Sequence, residues 1–190
     1  MPRRYTQIAF TEAVKDTQEH YGTRSKAAKV EGWEIDDQTL TEREKAHIEG
    51  RDSFYMASVS EDGWPYVQCR GGPKGFLKVI DDRTLGYADF RGNLQYISTG
   101  NVKKDDRVAL ILMDYPNKAR LKLYARAEVH DAADRPDLVA QLEDPSYRAR
   151  IERVVLFHVE AFDWNCPQHI APRWTEAELA ELGVLSASAS

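Results

Sequence analysis

The chain is poor in cysteine, with only Cys69 and Cys166 among 190 residues. They lie too far apart for a CxxC motif and are too few for a disulfide framework, so a reduced, cytoplasmic setting is expected. Long apolar runs are also missing, and nothing approaches the roughly 20 residues that cross a bilayer. The opening Met-Pro-Arg-Arg-Tyr-Thr lacks the apolar segment of a signal peptide, so an unexported protein with no membrane partner is expected. Positive charge is in deficit: 26 lysines and arginines face 31 acids, a net charge of −5. A nucleic-acid partner, which asks for a concentrated basic face, is therefore not expected. No pair of histidines has zinc-like spacing, and no metal is expected. There is no internal repeat, and the length suits one domain that buries roughly 70% of its unfolded surface.

What the chain does have is a distinctive stretch from Arg70 to Asn93. Two apolar runs, 76–80 and 85–90, are separated by Asp81-Asp82-Arg83-Thr84, a pattern that predicts a β-hairpin with a tight turn. Arg70-Gly71-Gly72 stands at one end and Arg91-Gly92-Asn93 at the other. Flexible backbone beside fixed positive charge is what a bound phosphate ester requires. An ordinary surface hairpin with glycine turns carries the same signature.

Around this stretch the chain reads as a series of short elements. Thr11 to Gly22 has a cap residue, an early acid and a glycine stop, which predicts a helix followed by a charged linker to about Gly32. Thr41 and Glu44 form a capping-box pattern that starts a second helix ending at Gly50. Ser53 to Ser60 and Tyr66 to Cys69 flank Asp62-Gly63, a strong hairpin signal. The second of these strands leads straight into Arg70, which predicts an antiparallel meander. A short helix is expected from Asn93 as N-cap to Gly100, so that an anion beside Arg91 would also meet free backbone N–H groups. Strands are expected at 107–114, buried on both faces, at 120–128, which alternates cleanly, and at 154–162. A helix at 134–147 stopped by Pro145, an amphipathic segment at 175–182 and a disordered Ser-Ala tail complete the reading. The acidic run 34–44 and His20, His47 and His130 are read as solvated, and Trp64 as packing on its hairpin. The sum is a mainly β protein with peripheral helices and a small closed antiparallel barrel.

Several segments resemble the pyridoxamine 5′-phosphate oxidase-like, FMN-binding split-barrel family. These are Arg70-Gly-Gly-Pro-Lys-Gly-Phe-Leu-Lys78, Tyr87-Ala-Asp-Phe-Arg-Gly-Asn93, Asp106-Arg-Val-Ala-Leu-Ile-Leu112 and Arg120-Leu-Lys-Leu-Tyr-Ala-Arg-Ala-Glu128. Arg70-Gly-Gly-Pro-Lys-Gly and Pro167-Gln-His-Ile-Ala-Pro-Arg173 look like an uncharacterised bacterial branch of it. The resemblance implies a six-stranded antiparallel split β-barrel at 51–174, an N-terminal helical extension at 1–50 packed on it, and a C-terminal helix and tail at 175–190. It also implies a homodimer with FMN at the subunit interface, acting as an oxidoreductase on an unidentified small molecule.

Carried over residue by residue, the resemblance places Arg70 and Lys78 at the phosphate and ring. Ala88, Asp89 and Phe90 would run along the flavin, and Arg91, Gly92 and Asn93 would close on the phosphate. Arg120 would reach in from the second subunit, with Gln168 and Arg173 over the ring. Phe76, Phe90 and Trp164 are candidate apolar walls, and Arg120 and Lys122 candidate partners for the ring edge. His169, between residues fixed by prolines, is a candidate proton carrier. The tail lacks the Arg-x-His of the vitamin B6 oxidases, so a different substrate is expected. A non-catalytic flavin- or haem-binding protein is the alternative.

Overall fold

The computed structural model describes residues 3–184; the Ser-Ala tail expected to be disordered lies outside them. Seven strands form one antiparallel sheet: β1 (Ser53–Val59), β2 (Pro65–Gly71), β3 (Lys78–Asp81), β4 (Thr84–Phe90), β5 (Arg107–Asp114), β6 (Ala119–Asp131) and β7 (Ile151–Trp164). Their order is β2-β1-β5-β6-β7-β4-β3, one strand more than the six implied by the resemblance. Both predicted hairpins form: β1 and β2 pair from Ser53↔Gly71 to Val59↔Pro65, and β3 and β4 pair across the Asp81–Thr84 turn. Gly63 in the first turn has φ +85°, a conformation that glycine adopts without steric cost.

The predicted meander does not form. β2 and β3 stand at opposite edges of the sheet, because the residues between them leave the ladder. Phe76 and Leu77, which read as the start of a strand, are buried in the core, and Phe76 stacks on Phe54 of β1 at 5.7 Å. Burying two large apolar side chains is worth roughly 1.5–3 kcal/mol each, more than two further residues of edge pairing would return.

The sheet curls around this core. Phe54, Phe76, Tyr87 and Phe157 interlock, with Tyr87 and Phe157 stacked at 5.7 Å and Phe54 edge-on to Tyr87 at 5.6 Å, geometries that aromatic rings favour. The result is a mainly β fold consistent with a split barrel. β5 is not buried on both faces: Val108, Leu110 and Leu112 point inward and Ala109, Ile111 and Met113 outward. A smaller apolar cluster joins Ala88, Val154 and Leu156 of the sheet to Leu138 and Leu142 of α6 (Pro136–Leu142). That helix ends before Pro145, earlier than expected.

The N-terminal region holds α1 (Arg4–Ala9), α2 (Glu12–His20), α3 (Arg24–Glu31) and α4 (Glu42–Glu49). α3 occupies the expected linker, where Arg24 ties itself to Gln18 and Glu31; it buries no residue, so no apolar period announced it. The acidic run is not simply solvated. Asp37 is buried and accepts the N–H groups of Arg4 (3.0 Å) and Tyr5 (2.8 Å) at the start of α1. Glu44 closes the predicted cap of α4 by accepting from the Thr41 N–H at 3.1 Å. His47 is likewise buried rather than solvated, with Nε2 3.3 Å from the Leu112 carbonyl. Trp64 is 76% exposed and packs on little. Among the described residues no helix is long and apolar enough to cross a membrane, and no group of acids, histidines and cysteines is arranged to hold a metal ion.

Candidate functional site at the barrel split

The two edges of the sheet are bridged by side chains where the backbone ladder is open. Arg70 on β2 reaches across to Asp89 on β4, Nη1 to Oδ1 3.0 Å. Arg153, directly opposite Asp89 in the β4–β7 register, holds the other oxygen through Nε and Nη2, both at 2.8 Å. Asp89 is buried, and a buried carboxylate is tolerable only when it is paired in this way. Its charge and hydrogen bond outweigh the desolvation of Arg153 and raise the pKa of that guanidinium.

A pocket opens beside this triad. Its walls include Gln68, Arg70 and Arg153 on one side and the 92–99 segment on the other. The helix expected from Asn93 begins later, as α5 (Ile97–Lys104), and runs through Gly100 rather than stopping there. Asn93 is not its cap: its side chain accepts from the Gln95 N–H at 3.2 Å within the approach loop. Leu94 (φ 64°) and Tyr96 (φ 53°) take left-handed conformations, which cost non-glycine residues roughly 1–2 kcal/mol each and concentrate at ligand-contacting segments. Ser98 Oγ, in the first turn of α5, donates to Gln68 Oε1 at 2.7 Å and fastens the helix start to β2. The ring of Tyr96 lies 4.9 Å from the Arg153 guanidinium.

The electrostatic balance of this corner is positive. Arg70, Arg91 and Arg153 face Asp89 and Glu152, three cations against two acids. The first-turn N–H groups of α5 have no intrahelical acceptor, and the segment that carries them lines the pocket. Gly92 has open space where a side chain would stand. Arginine pairs, free helix N–H groups and an unobstructed backbone suit a phosphate monoester, so the residues present fit the phosphate end of a flavin mononucleotide.

Not all the expected site residues meet there. Arg70, Phe90, Gly92 and Asn93 line the pocket, and Asp89 holds its arginines in place. Arg91 turns to Glu152, 3.5 Å away. Ala88 is buried in the cluster under α6. Lys78 points away, its ammonium donating to the carbonyls of Gln141 (3.1 Å) and Glu143 (2.9 Å) at the end of α6, a natural place for a cation. Phe76 is in the core and is no wall. Trp164 donates to Glu44 (2.6 Å) and lies beneath Arg43. Lys122 leans on Tyr5. Arg120 contacts the Cys166 carbonyl at 3.4 Å, Gln168 and His169 are exposed, and Arg173 lies over the Tyr115 ring at 4.9 Å; none of these four lines the pocket. Gln68, Ser98 and Arg153 were missed. Ser98-Thr99 stands close enough to the Arg91 loop to have been suspected, whereas Arg153 enters only through the β4–β7 register.

Fold and pocket together give a mainly β antiparallel sheet, consistent with a split barrel, with two arginines and one buried carboxylate beside its pocket. The family model described as pyridoxamine 5′-phosphate oxidase matches residues 40–164, and the chain belongs to that family. Solved structures agree. A Lactobacillus delbrueckii protein described as a candidate pyridoxamine 5′-phosphate oxidase is 26% identical, with a TM-score of 0.51 over 68% of this chain and 97% of that one. An FMN-binding protein of Syntrophomonas wolfei is 14% identical, with a TM-score of 0.52 over 78% and 97%. HupZ of Group A Streptococcus is 15% identical, with a TM-score of 0.50 over 71% and 100%. The last two share the fold. No curated protein sequence matches the chain.

Proposed function

We propose that the protein is an FMN-dependent oxidoreductase whose flavin phosphate is received at the barrel split. The observation that carries this reading is the surplus positive charge of the corner where Arg70 and Arg153 meet beside the start of α5. Arg70 and Arg153 bind the phosphate, Gly92 and Asn93 bring backbone to it, and Phe90 offers an apolar wall. Asp89 and, through Glu152, Arg91 keep the cations aimed. When bound, FMN supplies hydride or electron transfer at its N5 to a small molecule, while the protein orients the reactants and excludes water. The barrel of this reading spans 51–174, and its setting is the cytoplasm.

Arg120, Gln168 and His169 do not line the pocket of their own chain, and in this reading they act on the flavin of a second copy, so that the working form is a homodimer. An exposed apolar face supports this. The outer face of β1, β2 and β5 carries Tyr55, Ala57, Val67, Ala109 and Ile111 around an apolar hollow of about 170 Å³, and Val67 is 62% exposed. Contiguous exposed apolar surface of this kind marks association.

The reading is tested by titrating FMN and following the quenching of its fluorescence. Saturable binding is expected, and Arg70→Ala or Arg153→Ala should each weaken it about tenfold or more, since a charged hydrogen bond contributes roughly 1.5–3 kcal/mol. Protein that takes up no FMN, or variants that bind it undiminished, would refute the assignment.

A further inference from the structure

A second cleft opens between the segment after β2 and the residues that follow β7. It measures about 470 Å³ and is walled by Gly72 and Lys74 after β2, by Met113 and Tyr115 at the β5–β6 turn, and by Arg173 and Trp174 ahead of α7 (Glu176–Glu181). It shares no wall residue with the pocket at the split. That size is typical of small-molecule sites, which combine apolar and aromatic walls with a few placed polar groups.

Six charged side chains line this cleft, Arg51, Asp52, Lys74, Arg173, Glu178 and Glu181. Arg51 is neutralised by Asp114 at 3.0 Å. Asp52 accepts from the Ser53 hydroxyl at 2.8 Å. Glu178 closes the capping box of α7, accepting from the Thr175 N–H at 2.7 Å. Among the described residues Lys74 and Arg173 have no carboxylate partner, and Glu181 on the opposite wall has no basic one. Arg173 instead lies over the Tyr115 ring at 4.9 Å, a cation–π contact that leaves its N–H groups available to take a carboxylate. Trp174 is 47% exposed, so an aromatic face of the wall remains available for stacking.

We propose that this cleft is a binding site for a small planar aromatic carboxylate, with Arg173 and Lys74 taking the carboxylate and Tyr115 and Trp174 flanking the ring. The site does not depend on the flavin reading. The probe is 2-naphthoate, titrated calorimetrically into the full chain, both as purified and after addition of FMN. Saturable binding is expected, equally with and without FMN. The double variant Lys74→Gln/Arg173→Gln should lose at least tenfold in affinity at an unchanged melting temperature, while Arg107→Gln, on the exposed end of β5, should bind as the parent does. Neutral 2-naphthamide should bind at least tenfold more weakly than the acid. The proposal is overturned if the parent does not bind 2-naphthoate, if the double variant binds as well as the parent, or if the amide equals the acid. Displacement of 2-naphthoate by FMN would overturn the separateness of the site. A protein that takes 2-naphthoate and refuses FMN would sink the flavin reading and leave this one standing.

Discussion

Asp89 is buried between Arg70 and Arg153, so the structural and ligand-binding roles of these three residues separate cleanly. Removing the carboxylate leaves Arg70 without its counter-ion beside Arg153, which keeps only Glu152. Asp89→Ala should therefore cost about 3–5 kcal/mol in urea unfolding. Removing either arginine should cost less, because Asp89 keeps the other, yet it should damage anion binding more than stability. A small stability loss for Asp89→Ala would mean that the triad does not hold the split together. At this scale the sequence was half legible. Arg70 and the Arg91-Gly92-Asn93 loop stood out as charge beside flexible backbone, but an arginine 64 residues from its carboxylate has no local signature.

Between elements, α4 and the end of β7 are joined by Glu44. Its carboxylate accepts from the Thr41 N–H at 3.1 Å and from the Trp164 indole N–H at 2.6 Å. Burial alone pushes the Glu44 pKa up, but the hydrogen bonds from Thr41 and Trp164 outweigh it and leave the value below the ordinary one. The sign follows: a depressed folded-state pKa gives stability that is present above the unfolded value and lost as pH falls through the folded one. Glu44→Gln should cost about 1–3 kcal/mol at pH 7, and the gap from the parent should narrow as pH drops below about 4.3. A gap that stays constant with pH would show that the charge of Glu44 contributes nothing. The Thr41–Glu44 cap was legible because it is a four-residue pattern; the reach of Glu44 to Trp164, 120 residues away, was not. The start of α5 was misplaced for a related reason. Asn93 and Gly100 carry cap and stop chemistry, but Ser98 binds Gln68 of β2, and that tertiary contact fixes where the helix begins.

For the whole molecule the decisive question is whether one chain makes a complete site. The pocket at the split holds the proposed phosphate contacts, and the residues expected over the ring lie elsewhere. Val67→Lys, on the exposed outer face of β2, should convert a homodimer to a monomer by light scattering. It should also weaken FMN binding while leaving the melting temperature of the monomer within a few degrees, since a surface change away from the core costs about 0.5 kcal/mol or less. A parent protein that is already monomeric and binds FMN fully would remove the need for a second copy.

The sequence by itself determined most of the strands, both hairpin turns, the α4 cap and the charge-with-glycine character of the Arg70–Asn93 stretch, because periodicity and turn chemistry are local. Only the tertiary structure decided where that stretch stands. It sends Phe76 and Leu77 into the core, carries β3 to the sheet edge opposite β2 and brings Arg153 against Asp89. Those outcomes depend on which apolar surfaces bury together and which charges are desolvated in each other's company, and neither is a property of neighbours in the chain.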